Sequence, residues 1–145
     1  HPTIAPPSLT GMLRSRFVAV DYDSGPFLGF KQSQDLYGDG TVVLVPLPGH
    51  TPGSQGVFIK LTGRYVFLIG DATDLLEAAN DGLPKNQVIR TNTDTYPVMA
   101  DLQAERIARF HQEHPGIALV PAHDRDAFIA VFGAVPGCVT EFAGK

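Results

Sequence analysis

Three short stretches hold the residue types from which a metal site can be built: His50 within 48–54 (PGHTPGS), Asp71 within 70–72 (GDA) and His123 within 121–124 (PAHD). Imidazole nitrogens and carboxylate oxygens suit borderline metals, with zinc the default and manganese or iron the alternatives. A carboxylate has two oxygens, so Asp71 can bridge two metals, whereas each imidazole serves one. Three donors leave such a site short, because zinc takes about four, counting water. Singly, each residue has an ordinary reading: His50 and His123 as loop histidines bonded to backbone, Asp71 as the N-cap of a following helix. Jointly, three polar residues set among Gly and Pro at the ends of apolar runs point to a site.

The elements around them should bring the three together. The β-rich run 41–47 (TVVLVPL) leads into His50, and two Pro-Gly pairs hold its ring in a rigid loop. Runs 55–61 (QGVFIKL) and 65–69 (YVFLI), joined by Thr62-Gly63-Arg64, predict an antiparallel hairpin. At about 3.3 Å per residue the chain travels roughly 20 Å out and the same distance back. His50 and Asp71 therefore return to one end of the sheet. A short helix is expected over 74–79, stopping at Asn80-Asp81-Gly82. The link 83–94 is polar with no clear period, a length that is uncommon unless the link is functional or packs over a site. Residues 96–114 carry a helical period through Val98, Leu102, Ile107 and Phe110, and Pro115-Gly116 ends it. A buried strand over 117–120 (IALV) and a last helix over 127–132 follow. A strand, crossover helix and second strand give parallel packing, which places His123 beside Asp71.

Upstream, 1–16 reads as an extended lead-in with a helical turn over 9–14, and 17–22 (FVAVDY) as a strand. The run 35–40 (DLYGDG) is a tight-turn signal, so its flanks should pair. Asp21, Asp23, Asp35 and Asp39 are read as turn formers or solvated strand ends, not as a metal cluster. His111 and His114 lie at the end of the long helix, where the dipole favours cations, and at the opposite edge from His123.

The 145 residues are 43% hydrophobic and 18% charged, which suits one globular domain. A net charge of -4 with no basic stripe excludes a nucleic-acid phosphate binder. No apolar stretch approaches a bilayer span, so no membrane partner is expected and a soluble chain is, with the cytoplasm ahead of other compartments. Cys138 is the single cysteine, which rules out an internal disulfide or a Cys-rich zinc knuckle; it is read as a small buried or tail residue. The chain starts at His1-Pro2 without a methionine, and it is expected to be trimmed or cut from something longer.

The three stretches, in this order and spacing, resemble the third, fourth and fifth metal motifs of the metallo-β-lactamase-fold hydrolases, and the likeness runs over roughly 17–132. The resemblance implies an α/β (α+β) fold, the C-terminal half of an αββα sandwich with a mixed β-sheet and flanking helices, filling 1–145 as a partial domain. It also implies that His50 belongs to a first zinc site, His123 to a second, and that Asp71 bridges them as the catalytic and metal residue. The family's first motif, His-x-His-x-Asp-His, supplies the remaining ligands upstream of His50 and is absent here. The chain is therefore expected to be an incomplete site, inactive alone, that forms an oligomer or associates with a missing N-terminal half.

Aspartate at the bridging position points away from the classical β-lactamases, which place cysteine or serine there. PGHTPG preceded by DLYGDG is most similar to the lactonase branch, so the expected substrate is a small-molecule ester or lactone opened by a metal-activated hydroxide. Lactonases of that type often carry a tyrosine three residues after the bridging aspartate; here that position is Asp74, and Tyr96 is the candidate substrate-binding stand-in. The competing readings are a glyoxalase II-like thioesterase or β-lactam hydrolase, and a non-catalytic half-domain that dimerises or binds a partner through its exposed sheet face.

Overall fold

The computed structural model describes residues 18–133 of the chain. Its strands are β1 (Gln34–Asp35), β2 (Val42–Pro46), β3 (Gln55–Leu61), β4 (Arg64–Gly70) and β5 (Ala118–Pro121). Its helices are α1 (Leu76–Asp81), α2 (Gln87–Thr93), α3 (Pro97–Glu113) and α4 (Arg125–Phe132). The strands form one mixed sheet in the order β1-β2-β3-β4-β5, antiparallel until β5 joins β4 in parallel. This is the expected α+β architecture, and the β4–α3–β5 crossover gives the expected parallel pair.

Strand alternation decides what the sheet buries. Val43, Phe58, Phe67 and Leu119 share one register row, so their side chains stand on one face. There Phe58 and Phe67 stack at 3.9 Å between ring centroids, and Phe110 of α3 meets both rings edge-on. Phe30 and Ile107 complete this core. Leu44, Val57, Leu68 and Val120 form the neighbouring row on the other face.

Four local expectations change. Residues 18–22 form no strand: Val18 is exposed, and the nearest pairing is an isolated bridge between Asp23 and Ser33. A β-branched run is a strand only where a partner and a covered face await it. The β3–β4 turn is two residues, not three, because Leu61 pairs with Arg64; Gly63 takes the left-handed conformation (φ +79°) that so tight a turn demands. The polar link contains α2, which starts where the Asn86 side chain accepts from the Val88 N–H. In α3, Val98 and Leu102 are exposed, and the buried face is instead Ala100, Ala104, Ile107, Ala108 and Phe110. Small residues there let the helix sit close to the loop that carries His50. The lead-in at 1–16 and Cys138 lie outside the described residues. No helix among the described residues is long and apolar enough to cross a membrane.

Candidate functional site

His50 sits in the loop between β2 and β3, fixed by its contacts with the start of α3. The Thr95 N–H donates to the His50 carbonyl and the Tyr96 N–H to the Gly49 carbonyl, both at 2.9 Å. A Cβ on Gly49 would stand 2.7 Å from the backbone of Ala100, so only glycine lets the loop approach this closely. Thr51 and Ser54 close the loop on itself through the Ser54 hydroxyl.

Asp71 follows β4 directly, and His123 follows β5. The Gly70 carbonyl accepts from the Ala122 N–H at 3.0 Å, which sets the two residues side by side past the parallel pair. His123 Nε2 lies 2.8 Å from Asp71 Oδ1, and His50 Nε2 lies 4.0 Å from Asp71 Oδ2. Each carboxylate oxygen thus faces a different imidazole. Asp71 does not cap α1: the Leu76 N–H of that helix donates to Asp124 Oδ2, while Asp124 Oδ1 caps α4 at Ala127. Those backbone N–H groups, Ala127 first, hold the Asp124 carboxyl below its ordinary range.

Two further residues reach this edge, and neither was singled out by sequence. Asp94 Oδ1 lies 2.9 Å from His50 Nδ1 and 2.9 Å from Lys85 Nζ. Burial pushes the Asp94 carboxyl up, but hydrogen bonds and charge from Lys85 and His50 outweigh it and hold the group below its ordinary value. Lys85 also stands 3.7 Å from Asp74, the residue where the lactonase branch often has tyrosine. The only signal in the sequence was the length of the polar link, which does pack over the site.

Among the described residues, no group of three or more His, Cys, Asp and Glu side chains is placed to hold a metal ion. His50, Asp71 and His123 do share one edge, as two imidazole–carboxylate pairs around the Asp71 carboxylate. Their chemistry fits a borderline metal: His50 presents Nε2 to Asp71 while Nδ1 is engaged by a carboxylate, the arrangement that metal-binding histidines adopt. A hollow of about 620 Å³ opens beside His123, with Leu68, Val120 and Phe128 in its wall. Tyr96 is half-exposed and lines a second hollow of about 390 Å³ with Val98, Met99 and Leu102. His111 and His114 lie at the far end of α3, roughly 25 Å along a helix of this length at about 1.5 Å per residue.

No family model matches the sequence. A Mycobacterium tuberculosis protein named a probable metallo-hydrolase is 34% identical over 112 residues, covering 73% of this chain and 36% of the relative. An N-acyl homoserine lactonase of Azorhizobium caulinodans is 31% identical over 127 residues, covering 86% of this chain and 42% of the relative. Among solved structures, a quorum-quenching N-acyl homoserine lactone lactonase superposes with a TM-score of 0.50 at 25% identity, over 66% of this chain and 36% of that one. An N-acyl homoserine lactone hydrolase, solved with N-hexanoyl-L-homoserine at its catalytic metal centre, superposes with a TM-score of 0.52 at 22% identity, over 70% of this chain and 37% of that one. The chain spans 36% to 42% of the length of the curated relatives it matches.

Proposed function

We propose that this chain, which carries part of the metallo-β-lactamase-type fold in its lactonase-like form, supplies His50, Asp71 and His123 to the two-metal centre of a hydrolase that opens ester or lactone bonds. The observation that carries the reading is the Asp71 carboxylate, whose two oxygens face two imidazoles from two other strand ends at 2.8 and 4.0 Å. A carboxylate held this way is preset to bridge.

When bound, zinc in such a site supplies Lewis-acid polarisation of the substrate carbonyl and activation of water near neutral pH. The chain's own residues hold and orient. Asp71, about one-third exposed, keeps one oxygen toward each imidazole. His50 is held by the Thr95 N–H on its carbonyl and the Tyr96 N–H on that of Gly49, while the more exposed His123 borders the larger hollow, where the apolar part of a substrate can lie. Tyr96, whose N–H is tied to Gly49, is positioned by the same loop and is the chain's substrate-binding candidate. The remaining metal donors are assigned to a segment outside the described residues.

The lactonase name of the Azorhizobium relative favours a lactone over a thioester or a β-lactam. The test is Asp71→Ala in the full-length protein, with bound zinc and hydrolysis of an acyl homoserine lactone, a thioester and a β-lactam measured in parallel. Loss of both zinc and lactone hydrolysis is expected. Retained hydrolysis would mean that the site is misassigned, and a parent protein that neither binds zinc nor hydrolyses any of the three would leave the non-catalytic half-domain.

A further inference from the structure

Beneath His50 lie two charged side chains that the proposed reaction leaves without a task. The Asp94 side chain is 1% exposed and that of Lys85 4%, and they meet at 2.9 Å. Burying a carboxylate is costly unless it is paired and hydrogen-bonded, and a buried pair of this kind often adds little to stability over apolar residues. Here the second oxygen, Oδ2, is buried with no hydrogen-bond partner among the described residues. A group kept at such a cost calls for a role outside packing.

We propose that Asp94, held in place by Lys85, is a positioning residue that fixes the His50 ring with its proton on Nδ1, leaving the Nε2 lone pair free to ligate a metal at the Asp71 edge. The inference rests on the hydrolase reading above. Two tautomers compete. With the proton on Nδ1, the ring donates to a carboxylate at 2.9 Å, a charge-assisted bond. With the proton on Nε2, the Nδ1 lone pair would face that same carboxylate at 2.9 Å and could accept only from Lys85, at the longer 3.4 Å. The first arrangement wins on both charge and distance. Lys85 then has a distinct part: it shares Oδ1, offsets the buried negative charge, and reaches Asp74 at 3.7 Å. Asp94 itself ends α2, where its N–H donates to the Arg90 carbonyl, so the helix fixes where the carboxylate stands.

The experiment uses the full-length protein with Asp94→Asn, and with Asp94→Asn combined with Lys85→Met. The double variant removes both buried charges and so covers the case in which the single variant leaves Lys85 unpaired and unfolds. Three quantities are read: thermal unfolding, zinc affinity by competition with a chromophoric chelator, and the His50 ring ¹⁵N shifts in metal-free protein. The parent is expected to show the Nδ1–H tautomer. The folded variants should show a mixture and bind zinc about ten- to a hundredfold more weakly. A parent with the proton on Nε2, or a folded double variant with unchanged tautomer and zinc affinity, overturns the inference. Zinc binding that disappears in Asp71→Ala but is untouched in the double variant overturns it while leaving the hydrolase reading intact. A parent that binds no zinc overturns both.

Discussion

Four aspartates show how surroundings assign a task to one side chain. Asp71 keeps both oxygens for imidazoles, Asp94 gives one oxygen to His50 and Lys85, and Asp35 and Asp39 spend theirs on their own loop. Asp35 accepts from the N–H groups of Tyr37, Gly38 and Gly40, and Asp39 from the N–H and hydroxyl of Thr41, so these two are turn formers as the sequence indicates. The Thr41 hydroxyl, then its N–H, holds the Asp39 carboxyl below its ordinary value. A depressed folded value means that the contribution is present above the unfolded pKa of about 3.9 and is lost as pH falls through the folded one. Below about pH 4 the 36–41 loop should therefore fray first, read as faster amide exchange at Thr41; protection of that amide unchanged to pH 2 would contradict this. The convergence of His50, Asp71 and His123 on one edge was legible because each follows an apolar run and sits among Gly or Pro. Asp94 was not, because its partner His50 is 44 residues away and nothing local in a polar link distinguishes an aspartate that will be buried from one that will be solvated.

At the scale of elements, the hairpin and the crossover were legible because their signals are local: alternating apolar residues, a glycine turn, and a helix ended by Pro115-Gly116. The buried face of α3 was not. Periodicity gives weight to large apolar residues, and α3 exposes three of these, Val98, Met99 and Leu102, while burying alanines where it approaches the His50 loop closely. The contact between Gly49 and Ala100 is where this packing meets the site. A methyl at Gly49 would fall 2.7 Å from the Ala100 backbone, which cannot yield as a flexible side chain would. Gly49→Ala should lower stability by about 1–3 kcal/mol, the usual cost of overpacking, measured by urea denaturation. It should also weaken zinc binding, because the displaced loop is bonded to α3 through the carbonyls of both Gly49 and His50. A variant with parental stability and zinc affinity would show that the loop can move away from α3 without disturbing the ring.

For the whole molecule, the two faces of the sheet are unequal. The face under α3 holds the stacked aromatic core, whereas on the other face Val42, Val57, Ile59 and Leu68 remain partly exposed. Val88, Val98, Met99 and Leu102 of the helices, with Leu83 of the link between α1 and α2, add exposed apolar surface. Contiguous apolar surface beyond a few hundred Å² marks an interaction site or an association hazard. We expect these 145 residues, expressed alone, to self-associate and to bind less zinc per chain than a complete two-metal site, with no lactone hydrolysis. Sedimentation velocity, zinc stoichiometry and a lactone assay on the same preparation check all three. The sheet face and the helix surface make separable contributions. Ile59→Lys places a charge on the face opposite α3 without touching the Phe58 row, and it should shift the chain toward monomer if that face drives association, whereas Leu102→Lys tests the surface of α3. Were the unmodified chain monomeric, fully loaded with zinc and active, the three ligands at the sheet edge would not be the incomplete set they are taken to be, and the metal site would have to be closed by residues not yet assigned to it.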